Sequence, residues 1–237
     1  MKATAKGGRW IFNSQMEGYN PDIFVDLHTH WINHNKSVAS VFNIMATDLS
    51  SDVDSLFSIG LHPWYSEQMT LDELSGKLDF YSQNKYLFAI GETGLDKKCG
   101  ISMPIQQEVY EFHLKKAAEF NLPLIIHCVN AWDELLEISS KYPVTKIIHG
   151  YNGSIELTKR LLNHGFNFSV GKSILNPNSK IQSSVRSIPT SSLFCETDES
   201  GLSIQTIYDA VCGSLRIRQE ELKNIIFGNF YDCLQKV

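Results

Sequence analysis

The sequence predicts an α/β fold, a single (β/α)8 barrel, on three observations. Short apolar runs occur at 23–28, 38–46, 56–61, 86–91, 122–127, 144–149, 166–171 and 192–197, with the length and apolar content of strands buried on both faces. Segments of helical spacing separate the later runs, which requires crossover connections and hence a parallel sheet. Several runs end in His, Glu or Asp, and in a parallel barrel every strand C-terminus opens on one rim.

In chain order, residues 1–22 carry a Gly pair and no periodicity, and Met16 reads equally as a start of translation or as an expression scar. This N-terminal extension receives no role, and the barrel is expected over 23–237. About eight residues separate His30 from the second run and about ten separate the second from the third. A crossover helix needs about a dozen, so the first helices are expected to be short or missing, leaving a thin wall that the N-terminal segment is positioned to cover. Helical spacing then appears at 71–84, 104–121, 131–141, 154–164 and 203–214, followed by a terminal helix over 218–225 and another near 229–235. Eight strand units are the count of a closed TIM-type barrel.

A chain of 237 residues with 43% hydrophobic content can bury a sizeable core. Its formal charge of −5, from 21 basic and 26 acidic residues without like-charge blocks, gives no basic footprint for nucleic acid. A polyanion would need metal ions to supply much of the attraction. Five cysteines without a Cys-x-x-Cys pair disfavour a disulfide framework and a structural zinc ribbon, so a reducing, cytoplasmic setting is expected. No apolar stretch is long enough to span a bilayer and no secretory signal opens the chain, so no membrane association is expected. Nor is an obligate protein partner.

The chemistry starts at Asp26-Leu27-His28-Thr29-His30. Residues two apart in a strand share a face about 6.6 Å apart, so His28 and His30 can close on one ion. Alone this pair says little. Glu92, His127, His149 and Asp198 also end apolar runs, and the six form an N/O donor set without thiolate, suited to Zn, Mn, Fe or Ni. Six donors exceed the need of one tetrahedral ion, whereas two ions about 3.5–4 Å apart sharing a carboxylate would use them all. Glu92 is the natural bridge, with His28, His30 and Asp198 on one ion and His127 and His149 on the other. Water between two cations ionises near neutral pH, and Asp198 is placed to orient or deprotonate it. Asp198 also fits a helix cap, since Thr197-Asp198-Glu199-Ser200 is a helix-start sequence.

Around this set, strand parity makes Asp26 and Glu196 candidates to orient ligands, or else members of buried hydrogen bonds or salt bridges. His62, in Gly60-Leu61-His62-Pro63-Trp64, reads as a substrate contact or as the proton donor to a leaving group, against a structural turn histidine. Lys97, Lys98 and Lys172 follow rim strands and can meet phosphate or stay solvated. Trp31, Trp64 and Tyr151 each follow a site histidine closely and can stack on bases or pack in the core or at the rim. His34, His113 and His164 are assigned to the surface.

An ordered series of motifs resembles the TatD family of metal-dependent hydrolases, within the amidohydrolase superfamily. It comprises Asp26 to His30, Gly60-Leu61-His62-Pro63, Ala89-Ile90-Gly91-Glu92-Thr93-Gly94-Leu95-Asp96, Gln106 to Phe112 leading to Leu122 through His127, His149 to Ser154, and Glu196-Thr197-Asp198. The resemblance implies a TIM-type barrel, two divalent ions (Zn, Mn or Mg) on His28, His30, Glu92, His127, His149 and Asp198, and phosphodiester hydrolysis on a DNA end or single strand, as in a 3′ exonuclease-like deoxyribonuclease. The substrate side departs from the family. Cys128-Val129-Asn130-Ala131 replaces the usual Ser-Arg-Asp-Ala and removes an arginine expected to meet phosphate, while Glu199 replaces the usual Pro and Gly150-Tyr151-Asn152 the usual Cys-Phe-Ser. An ester or amide deacylase, for example on aminoacyl-tRNA, and a catalytically silent binding barrel are the alternatives.

Overall fold

The computed structural model describes residues 22–48 and 53–235. Its strands form one parallel sheet ordered as in the chain: β1 Phe24–Thr29, β2 Val38–Met45, β3 Phe57–Gly60, β4 Leu87–Asp96, β5 Leu124–Val129, β6 Lys146–Ile148, β7 Phe166–Val170 and β8 Leu193–Cys195. Each of the eight apolar runs is a strand. The sheet closes between β8 and β1 at a parallel bridge joining Thr29 and Asp198. There the Asp198 N–H donates to the His28 carbonyl at 2.9 Å and the His30 N–H to the Asp198 carbonyl at 3.5 Å. Backbone groups of three candidate ligands therefore make the seam of the barrel. Successive strands fill the core with Leu27, Ile44, Ile59, Ile90, Ile125, Ile147, Phe168 and Phe194.

The helices are α1 Leu71–Tyr81, α2 Met103–Phe120, α3 Trp132–Ser139, α4 Ile155–Leu162, α5 Ile181–Ser184, α6 Ile204–Leu215 and α7 Gln219–Gln235. α1 opens on a capping box, in which Thr70 Oγ1 accepts from the Glu73 N–H and Glu73 Oε2 from the Thr70 N–H. α2 opens with Pro104, where a missing N–H costs nothing, and stops at Asn121 in the left-handed region, φ 60°. Among the described residues no helix joins β1 to β2 or β2 to β3, as the short spacers require. Cover for β1 comes instead from the far end of the chain: the Tyr208 hydroxyl of α6 accepts from the Val25 N–H and donates to the Val25 carbonyl, both at 3.1 Å. The expected shielding of the thin wall by the N-terminal extension concerns residues 1–21, outside the described residues. No helix among those described is long and apolar enough to cross a membrane.

Two expectations need correction. The break between two terminal helices is absent, because α7 runs unbroken through Gly228, where a Cβ would meet nothing within 4 Å. A helical Gly costs only about 1 kcal/mol, and the buried Ile226 and Phe230 on either side outweigh it, Phe230 stacking on Phe88 of β4 at 4.5 Å. β4 also continues past its apolar run to Asp96, with a register slip against β5 between Ile90 and Thr93. The strands approach so closely there that a Cβ on Gly91 (φ +123°) or Gly94 (φ +149°) would lie 2.3 or 1.9 Å from a β5 carbonyl oxygen. Only glycine permits this approach.

Candidate metal centre

Strand ends from around the barrel converge on Glu92, which is 5% exposed. Its Oε2 lies 3.4 Å from His28 Nε2 and 3.8 Å from His30 Nε2. Its Oε1 lies 2.8 Å from His149 Nε2, 3.1 Å from His127 Nδ1 and 3.3 Å from His62 Nε2. Asp198 Oδ1 completes the first group, 3.5 Å from His30 Nε2 and 3.9 Å from His28 Nε2. Three triads have ligand atoms within 4.8 Å of one another: His28, His30 and Glu92; His28, His149 and Asp198; and His62, Glu92 and His127. All six residues expected as ligands come together, and His62 joins them. Asp198 is no helix cap, since that role in α6 belongs to Ser203. It sits instead in the left-handed region at φ 52°, which Asp tolerates better than most side chains.

Proton placement shows whether a cation suits these groups. A neutral imidazole carries one N–H and one lone pair. His127 Nε2 faces the Asp96 carboxylate at 3.3 Å and His149 Nδ1 lies 3.4 Å from Glu196 Oε1, so both rings turn their bare nitrogen toward Glu92. Those two nitrogens are 3.3 Å apart, an arrangement that calls for a proton or a cation between them. His28 is fully buried with no hydrogen-bond partner on either ring nitrogen, a desolvation cost that a bound cation would offset. The donor set therefore fits a divalent metal. His62 is different, because its Nδ1 accepts the Trp64 N–H at 3.2 Å and its proton consequently sits on Nε2, facing Glu92.

The electrostatics agree. Burial pushes the Glu92 carboxyl up, but the imidazoles around it, His149 foremost with His127 and His28, outweigh it and hold the group well below the usual range. Burial pushes His149 down, and Glu92 with Glu196 reverses this, raising it well above an ordinary histidine. Without metal, a proton on His149 balances Glu92; a cation supplies the same charge and displaces that proton. His30 is lowered by burial and by His28 against the pull of the carboxylates, which keeps it neutral, as a ligand must be. Asp26, raised to about 7 by burial against its Thr197 hydrogen bonds, orients no imidazole directly. Its oxygens accept the Thr197 N–H at 2.9 Å and hydroxyl at 2.6 Å, tying down the residue before Asp198.

The rim residues divide. Trp64 is 53% exposed and its Nε1–H donates to Asp96 Oδ2 at 2.7 Å, Trp31 is 61% exposed, and Lys172 is exposed at the end of β7. Lys97 pairs with Glu134 of α3 at 2.6 Å. Tyr151 cannot stack on a substrate: it is 1% exposed, its ring packs on Phe168 and its hydroxyl meets Thr158 Oγ1 at 2.8 Å, because its N–H pairs with the Ser169 carbonyl and directs it inward. His113 is likewise no surface residue. Fully buried, it accepts the Leu61 N–H at Nε2 and donates from Nδ1 to the Val109 carbonyl, and burial lowers it to about 4. Two site residues escaped the sequence reading. Asp96 shares the face of Glu92 by strand parity, a signal usable only once β4 is known to run that far. Asn43, whose Oδ1 accepts the Glu92 N–H at 2.9 Å and the Ser58 hydroxyl at 3.1 Å, carried no local signal.

Known proteins share this arrangement of strands. The crystal structure of YjjV from Escherichia coli superposes with a TM-score of 0.76 at 23% identity, covering 90% of this chain and 98% of that one. In sequence, YjjV, described as a metal-dependent hydrolase, is 26% identical over 194 residues, 73% of this chain and 74% of its own length. A TATDN1 homologue from Enterocytozoon bieneusi is 28% identical over 206 residues, 82% of this chain and 74% of that protein. The human 3′-5′ RNA nuclease TATDN2 is 34% identical over 149 residues, 60% of this chain and 19% of that protein. Residues 25–233 match the family model for TatD related DNase. The chain belongs to the TatD related DNase family, and it is a metal-dependent hydrolase.

Proposed function

We propose that this enzyme is a phosphodiesterase that shortens nucleic acid from an end or a single strand, in the manner of a 3′ exonuclease. The observation that carries the proposal is the division of Glu92, whose two carboxylate oxygens face separate groups of imidazoles. His28, His30 and Asp198 with Glu92 Oε2 would hold one divalent ion, and His127 and His149 with Glu92 Oε1 the second, with Zn, Mn or Mg as candidates. When bound, such a pair supplies a water ionised near neutral pH and neutralises charge on the attacked group.

The protein's own groups do the rest. Asp198, with about a quarter of its side chain exposed (27%), takes the proton of the attacking water. His62 carries its proton on Nε2 at the same rim and gives it to the departing oxygen. Trp64 and Trp31 offer faces for unpaired bases, and Lys172 offers a charge to a neighbouring phosphate. The nuclease name of TATDN2 supports this substrate class. Five free cysteines suit a reducing cytoplasmic setting.

Purified protein loaded with each candidate metal is expected to shorten single-stranded DNA or RNA bearing a free 3′ end, and His127→Ala to abolish this. Undiminished cleavage by that variant rejects the mechanism. One observation favours a second reading as an ester or amide deacylase: no arginine stands at the end of β5, where Cys128 and Val129 close the strand and Asn130 follows it. Comparing kcat/KM across phosphodiesters, esters and amides separates the two.

A further inference from the structure

We propose that Asp96 is a positioning residue that keeps the proton of His127 on Nε2 and so leaves the Nδ1 lone pair for the metal centre; the proposal rests on the two-ion reading of that centre. Asp96 ends β4, is 2% exposed and is held from several sides. Its N–H donates to Gln106 Oε1 at 2.7 Å, its carbonyl accepts from Gln106 Nε2 at 3.1 Å, and its Oδ1 accepts the Lys98 N–H at 2.7 Å. One oxygen remains. Oδ2 accepts the Trp64 indole N–H at 2.7 Å and faces His127 Nε2 at 3.3 Å.

A carboxylate offers acceptors only, and both ring nitrogens of His127 face one, Nδ1 with Glu92 Oε1 at 3.1 Å and Nε2 with Asp96 Oδ2 at 3.3 Å. Glu92 Oε1 is already met by His149 Nε2 at 2.8 Å and by the Nε2–H of His62 at 3.3 Å, so His127 presents its N–H to Oδ2. The lone pair is then left on Nδ1, the atom 3.1 Å from Glu92 Oε1 and 3.3 Å from His149 Nε2. His149 Nδ1 faces Glu196 Oε1 in the same sense at 3.4 Å, whereas His62 and His28 differ. His62 is held in the opposite sense by the Trp64 N–H, and His28 has no hydrogen-bond partner. Because Trp64 and His127 share one oxygen, the indole at the rim is also tied to the orientation of a candidate ligand.

Asparagine at this position cannot serve all three incoming N–H groups, since its amide has one oxygen and one NH2. If the NH2 faces His127, it donates to Nε2 and moves the ring proton to Nδ1, removing the lone pair from the site. If it turns the other way, it opposes the Lys98 N–H and dislodges the side chain.

The test begins with metal-free protein labelled at the histidine ring nitrogens, at a pH well above the ordinary imidazole pKa of about 6.5, with His127 assigned by its loss in His127→Gln. Nitrogen NMR of the wild type is expected to show His127 protonated on Nε2; protonation on Nδ1 overturns the proposal without any further variant. In Asp96→Asn the Nδ1-protonated form is expected to appear and affinity for the Zn ion on the His127 and His149 side to fall about 10- to 100-fold. Wild-type tautomer and affinity in a folded Asp96→Asn also overturn it. Trp64→Phe keeps the carboxylate and is expected to leave the His127 tautomer unchanged, whereas a tautomer shift there would assign the control to Trp64 instead. None of these readouts involves nucleic acid, so the phosphodiesterase reading stands or falls separately.

Discussion

The two groups of imidazoles on either side of Glu92 differ in how they are held. On the Oε1 side, a buried carboxylate backs each candidate ligand: Asp96 lies behind His127 and Glu196 behind His149. On the Oε2 side, neither ring nitrogen of His28 makes a hydrogen bond and Asp198 belongs to the β8–β1 seam. One half of the centre is therefore organised by side chains before metal arrives. The other is organised by backbone closure and is completed by the ion itself. Carboxylates behind imidazoles raise ligand basicity and fix orientation, so the Oε1 half should take up metal more tightly.

Glu92→Ala, which removes the shared carboxylate, should produce the largest effect: a loss of hydrolysis of about a thousandfold or more, with fewer than two ions per chain by elemental analysis. Full stoichiometry in that variant would break the comparison at its centre. His127→Ala and His28→Ala should then diverge. The first should lose the tighter of two binding steps in a Zn titration and the second the weaker, and the reverse order would show that carboxylate backing does not govern affinity here.

Thr197→Val tests the seam side. It leaves the buried Asp26 carboxylate without its hydroxyl donor, and should cost about 1–3 kcal/mol in chemical denaturation while weakening the Oε2-side ion more than the other. Trp64→Ala, at the rim, should raise KM for single-stranded substrate about tenfold if a base stacks there, and leave metal stoichiometry unchanged.

Acidity gives the gentlest probe. His149 is raised in the folded state, so its contribution to metal-free stability is full below the unfolded value of about 6.5 and is lost as pH rises through the raised value. Metal competes for that site with the proton. Affinity should therefore climb with pH over this window, and calorimetry in buffers of different ionisation enthalpy should register proton release on binding. Binding without proton release would remove His149 as a ligand.

Much of this was legible in the sequence because its signals are local. Apolar runs bounded by polar residues marked all eight strands, and short spacers marked the connections that carry no helix among the described residues. A histidine or carboxylate at the end of a buried run has few other places to go, which made His28, His30, Glu92, His127, His149 and Asp198 readable before any coordinates. What was misread depended on direction or on distant partners. Tyr151 follows a site histidine closely yet turns into the core, and His113 lies on a helix yet reaches Leu61 across the barrel wall.

By itself, then, the order of residues determined the parallel α/β class, the strand count and the identity of the donors that end the strands, since these follow from periodicity along the chain. Tertiary structure alone decided which oxygen of Glu92 faces which imidazole, that Asp96 and Asn43 stand behind the site, and that Asp198 closes the barrel rather than capping a helix. Those facts depend on register and curvature, and both are settled only when strands far apart in the chain are packed together.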